Sequence, residues 1–160
     1  MQARLRSLEQ LMPFGTAGEL IAAKRQPLVS VERGATALEA VRAMEQKDIG
    51  FLLVLEDEKL VGVLSERDIA RAMILRSRTL VGEIMTTRIH SVTPEAKVPE
   101  CVALMHRERI RHLPVVSGCT VVGVLSVRDL MSALIERHER LLRRLHEERV
   151  ALLFPFPSSY

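Results

Sequence analysis

The sequence predicts an α+β fold in which one strand-helix-strand-strand-helix unit is used twice. Three observations carry this expectation. "GVLSERD" at 62–68 returns as "GVLSVRD" at 123–129, and one 61-residue offset separates both Ser65 from Ser126 and Asp68 from Asp129. At that offset, residues 30–74 lie over residues 91–135 without a gap. Within each copy, apolar runs of strand length alternate with apolar residues at helical spacing. Self-similarity at a fixed period marks a supersecondary unit that needs its neighbour to bury an apolar face, so neither copy should fold well alone.

The elements follow in order. "MQARLRSLEQLMPFG" reads as a short amphipathic helix stopped by Pro13 and Gly15 and packed on the body, an extension over 1–15. The first repeat spans 16–76 and the second 77–136, with "RSRTLVGEIMTTR" linking them. "PLVSV" and "IHSV" are short strands, each followed by a helix on which Leu38, Val41, Ala43 and Met44, or Val102, Leu104 and Met105, share one face. "FLLVL" and "LPVV" are strand runs, broken by polar "EDEK" and "SGCT" before the second runs "LVGVL" and "VVGVL", so each copy contains a hairpin. A helix follows each hairpin. The second continues into a C-terminal amphipathic helix and a Pro-containing tail over 137–160, and along the continuous helix Leu134, Leu141, Leu145 and Leu152 fall close to one stripe. That stripe suits a cover for the module's own core or a partner helix; its mixed charge disfavours a membrane surface.

Composition narrows the function. Hydrophobic residues make up 48% of the 160, enough for a shared core, yet aromatic residues are 3% and Trp is absent, which argues against base-stacking platforms. The net charge of +3 favours anionic partners only weakly, because acids and bases are interspersed, so nucleic acid is not expected. No apolar stretch approaches the roughly 20 residues of a membrane span, and no secretory signal is expected at 1–15. Cys101 and Cys119 fit a reduced, cytoplasmic setting. The five histidines lack metal-ligand spacing, and no nucleophile stands beside an activating base, so neither a metal site nor an enzyme is expected.

The repeated segment itself has two readings. Ser65 with Asp68, and Ser126 with Asp129, stand three apart where a strand gives way to a helix, the spacing of a capping box. Capping alone would tolerate many residue pairs. Gly62 and Gly123, Arg67 and Arg128, and both Ser–Asp pairs nevertheless recur together. A helix N-terminus beside an arginine can hold phosphate, a carboxylate can accept both hydrogens of a ribose diol, and a glycine lets a planar base approach a strand. That set describes a nucleotide pocket.

The paired G-x-x-S-x-R-D segments, with "IRHLPVV", resemble a tandem of CBS (cystathionine β-synthase) domains, the pair called a Bateman module, over roughly 16–136. The resemblance implies repeats packed sheet to sheet about a pseudo-two-fold axis, with two clefts for adenosine-containing ligands: AMP, ADP, ATP, NAD(H) or S-adenosylmethionine. It implies that Asp68 and Asp129 hold ribose, that Ser65 and Ser126 contact ribose or phosphate beside Arg67 and Arg128, and that Val63 and Val124 line the base. The opposite walls would be Ile49, Gly50 and Phe51 in copy one and Ile110, Arg111, His112 and Pro114 in copy two, Arg111 and His112 reaching phosphate. Because Gly50-Phe51 stands where copy two has Arg111-His112, the clefts should be unequal, with the Arg111 pocket tighter for a phosphorylated ligand. The implied function is a stand-alone homodimeric regulator that signals to an effector protein, without a catalytic cofactor. The competing readings are a ligand-free dimeric scaffold in which the Ser–Asp pairs are only caps, and, more weakly, a nucleic-acid accessory protein.

Overall fold

The computed structural model describes residues 14–24, 26–73 and 79–153. The helix expected over 1–15, apart from its last two residues, and the Pro-containing tail from 154 onward lie outside them. The elements are α1 (Ala17–Lys24), β1 (Ser30–Glu32), α2 (Ala37–Lys47), β2 (Phe51–Glu56), β3 (Lys59–Ser65), α3 (Glu66–Met73), α4 (Val81–Ile84), α5 (Val98–Glu108), β4 (His112–Ser117), β5 (Thr120–Ser126) and α6 (Val127–Leu153). The two-copy α+β architecture is therefore present.

Copy one forms a sheet in the order β1-β2-β3, with β1 parallel and β3 antiparallel to β2. Both copies carry a register shift at the same place, between Val54 and Leu55 and between Val115 and Val116. Their hairpin loops are Asp57-Glu58, both at positive φ, and Gly118-Cys119, with Gly118 at φ 60°. The strand expected at "IHSV" is reduced to a single parallel bridge, Val92 to Val115. Two prolines explain the loss. In copy one, Leu53 N–H donates to Val29 O and Arg33 N–H to Leu55 O; the residues 61 positions later are Pro114 and Pro94, which have no N–H.

The helices are positioned by local chemistry. Thr36 caps α2: its Oγ1 accepts the Glu39 N–H at 3.2 Å, and Glu39 Oε2 accepts the Thr36 N–H at 2.7 Å. α2 and α5 both end in a left-handed residue, Asp48 and Arg109, again 61 positions apart. Ala40 and Met44 of α2 bury against Leu52, Val54 and Leu64, while Cys101 and Met105 of α5 bury against Leu113, Val115 and Leu125. Removing one such leucine side chain would cost about 2–5 kcal/mol.

One feature of the packing was not expected. α1 precedes copy one, yet Ala17 and Leu20 lie in the core of copy two. α4 precedes copy two, yet Val81 lies in the core of copy one. The backbone bonds match: Ala17 N–H to Ala96 O and Gly18 N–H to Pro94 O in one case, Val81 N–H to Ala35 O and Gly82 N–H to Arg33 O in the other. Each copy's leading segment is thus docked on the other copy. β3 also meets β5, so the repeats are joined at their sheets as well.

α6 starts as the final helix of copy two, burying Leu130 and Ala133, with Leu134 packed beside them. Farther along, Leu141, Leu142 and Leu145 are exposed. The stripe therefore covers the module's own core only in its first turns, and Leu152 lies beyond the described side chains. No helix among the described residues is long and apolar enough to cross a membrane.

Candidate functional site

β5 delivers Ser126 to the start of α6, and the capping geometry forms as the spacing suggests. Asp129 N–H donates to Ser126 Oγ at 3.2 Å, while Asp129 Oδ2 accepts from Ser126 N–H at 2.7 Å and Ser126 Oγ at 2.6 Å. In copy one, Asp68 Oδ2 likewise accepts from Ser65 N–H at 2.9 Å and Ser65 Oγ at 2.6 Å. The start of each helix is tied to the beginning of its hairpin: Val127 N–H donates to Arg111 O, and Glu66 N–H to Gly50 O. Each carboxylate is consequently held at a helix N-terminus, where the helix dipole favours negative charge.

In front of Asp129 lies a cleft of about 970 Å³, a volume at the upper end of those that hold small molecules. Of the candidate residues, Ile49, Gly50, Phe51, Arg111, His112, Val124, Ser126, Arg128 and Asp129 line it, so walls drawn from the two copies face one cavity. Phe51 and His112 stack between the repeats, with ring centroids 4.5 Å apart and planes 17° apart. Ser65, Arg67 and Asp68 sit at the start of α3, the pseudo-equivalent place. Val63 bridges Thr86, and Ile110 packs on the core of copy two. Pro114 is fully buried, so its ring belongs to the interior and not to a cleft wall.

A Cβ on Gly123 would collide with Ile21 of α1, and one on Gly62 with the Met85 sulfur. On the side its Cβ would occupy, each strand glycine meets a side chain from a leading segment, while Gly123 itself lines the cleft beside Val124.

Several lining residues were not found by sequence reasoning. Lys24, at the end of α1, places Nζ 2.8 Å from Asp129 Oδ2 and 3.4 Å from Val124 O. Met44, Glu45, Asp48 and Glu66 of copy one also line the cavity, as do Gln26, Pro27, Leu28 and Val29. One signal was available: "TAGELI" at 16–21 matches "LVGEIM" at 80–85, with glycine and glutamate in register. The electrostatics are mixed, with Lys24, Arg111 and Arg128 set against Glu45, Asp48, Glu66 and Asp129. Burial, reinforced by Arg111, Lys24 and Arg128 and opposed by Asp129, holds the His112 pKa down at about 4. His112 is therefore neutral at pH 7, and cationic charge on this wall comes from Arg111. No cluster of three or more metal-binding side chains occurs among the described residues.

A duplicated unit with a Ser–Asp pair at the start of each closing helix, one of them facing a cleft walled by both copies, defines a tandem repeat pair. The comparisons place it: the CBS domain profile matches residues 17–75 and 81–136, and the chain belongs to the CBS domain family as a tandem pair, a Bateman module. It is 38% identical over 120 residues to the CBS domain-containing protein CBSX3, mitochondrial, of Arabidopsis thaliana, covering 69% of this chain and 58% of that relative's length. A solved CBS-domain protein from Burkholderia ambifaria MC40-6 superposes with TM-score 0.70 at 35% identity, covering 76% of this chain and 94% of that one. The CBS domain pair of protein MJ0100 shares the fold at 24% identity and TM-score 0.68, covering 75% of this chain and 95% of its own; it was solved with 5′-methylthioadenosine and S-adenosyl-L-methionine.

Proposed function

We propose that this chain binds an adenosine-containing ligand in the clefts between its repeats and passes the state of occupancy to an effector protein. The carrying observation is the placement of Asp129, a carboxylate fixed at the start of α6 and facing a cavity walled by both copies. Its ligand is an adenine nucleotide, AMP, ADP or ATP, with NAD(H) and S-adenosylmethionine as the other members of the set. A ribose diol donates to Asp129, and the phosphate meets Arg111, with neutral His112 as a hydrogen-bonding neighbour. The protein acts in a reduced, cytoplasmic setting as a homodimer, with exposed Met131, Ile135, Leu142 and Leu145 of α6 as the apolar contact.

Calorimetric titration with each of the five ligands tests this reading. Saturable binding of at least one supports it, and binding of none refutes it. Arg111→Ala should weaken AMP or ATP far more than adenosine; equal losses would mean that Arg111 holds the pocket's shape and not the phosphate. Sedimentation as a monomer at high micromolar concentration would refute the dimer.

A second reading is favoured by the complete capping geometry at Ser126 and Asp129: a ligand-free scaffold in which the pairs only cap helices. A ligand that binds only the folded state raises its stability by RT ln(1 + [L]/Kd), so a flat thermal-shift screen would select the scaffold.

A further inference from the structure

Lys24 lies 105 residues before Asp129 in the chain, and it reaches that carboxylate only because α1 docks on copy two. The pair is largely withdrawn from solvent, with side-chain exposures of 20% and 14%, and both residues line the cleft. Asp129 and Val124 O engage two of the three N–H donors that an ammonium carries, and the third is what an acceptor atom in the cleft would meet. Overlaying "TAGELI" on "LVGEIM" and continuing along the chain makes Arg88 the counterpart of Lys24, and the Arg88 charge acts on Glu108. The leading segments thus use their cations differently, and the Asp129 cleft receives one directly at its ribose acceptor.

Charge balance shows what this cation can do. Glu45, Asp48 and Glu66 line the same cleft, so an incoming phosphate meets acidic as well as basic groups. When ribose hydroxyls take up Asp129, the Lys24 ammonium gives up part of its pairing and needs another anion within reach of its flexible stem. We infer that Lys24 is a specificity-determining residue of the Asp129 cleft, neutralising Asp129 when the cleft is empty and holding the 5′-phosphate of an adenine nucleotide when it is filled. This inference rests on the nucleotide reading above.

The test is calorimetric titration of adenosine and AMP into the wild type, Lys24→Met and Lys24→Arg, following the site that Asp129→Ala weakens. Lys24→Met should weaken AMP about 10-fold or more and change adenosine by less than about threefold, because the charge-assisted contact is made only with the phosphate. Lys24→Arg should restore most of the preference for AMP. Equal weakening of both ligands in Lys24→Met would show that Lys24 merely holds Asp129, and would overturn the inference. So would an unchanged AMP affinity, or failure of arginine to restore a preference that methionine removes. A wild type that binds neither AMP nor adenosine would overturn this inference, and only one that binds none of the five ligands named above would overturn the nucleotide reading itself, so the two failures are distinguishable.

Discussion

Replacing Asp129 with alanine removes three contacts at once: the bonds from Ser126 N–H and Oγ, and the ion pair with Lys24. The Ser126 cap of the residue-129 N–H survives, so loss of the carboxylate arm of the capping box costs no more than the roughly 0.5–2 kcal/mol of a lost helix cap. The ion pair adds up to about 1 kcal/mol, because Lys24 keeps 20% side-chain exposure and can turn toward water in the cleft instead of remaining a stranded buried charge. Together these give about 0.5–3 kcal/mol, which in a domain of this size lowers the melting temperature by about 1–12 °C. Binding should suffer more specifically. Charge-assisted bonds from a ribose diol are worth about 1.5–3 kcal/mol, so the affinity for adenosine or AMP should fall about 10- to 100-fold at this site. Differential scanning fluorimetry and calorimetry on the same preparations read the two effects separately. A lowered melting temperature with unchanged affinity would mean that Asp129 is only a cap. No change in either quantity would refute the geometry itself.

Three further outcomes are expected. With His112 held at about 4 in the fold against 6.5 in an unfolded chain, the unfolded state binds more protons between those values. The stability contributed by neutral His112 is thus complete above about pH 6.5 and is lost as pH falls toward 4; melting curves of His112→Phe, which preserves an aromatic partner for Phe51, should show a shallower acid dependence than the wild type. Gly123→Ala should destabilise the protein by about 1–3 kcal/mol through overpacking against Ile21, and Ile21→Ala should relieve much of that cost in the double variant; strict additivity in urea titrations would contradict the docking of α1 on β5. Burial pushes the Cys101 thiol up to about 11 while Cys119 is exposed, so a thiol reagent at neutral pH should modify one cysteine per native chain quickly and the second only on unfolding; two fast thiols would contradict the buried placement.

The repeat, the hairpins and the Ser–Asp caps were legible because each is written in residues close together in the chain. Capping requires a spacing of three, a hairpin an apolar run on each side of a polar break, and duplication a constant offset. The missing strand at 89–92 was legible too: Pro94 and Pro114 occupy the two places where copy one donates ladder bonds, although "IHSV" by its period alone suits a strand. Other features depend on contacts between distant segments. Nothing near Lys24 reveals that it meets Asp129, nothing near Gly123 reveals that Ile21 fills the space above it, and the partners of Ala17 and Val81 lie in the copy that each does not precede.

By itself, then, the sequence determined a duplicated α+β unit and the local chemistry of each helix start, since backbone hydrogen bonding and side-chain period act over a few residues. Only the tertiary structure decided which walls share a cleft, how its charges balance and why His112 is neutral. Those properties follow from burial and from distances between groups brought together by folding, and such distances are set by the packing of whole repeats, not by spacing along the chain.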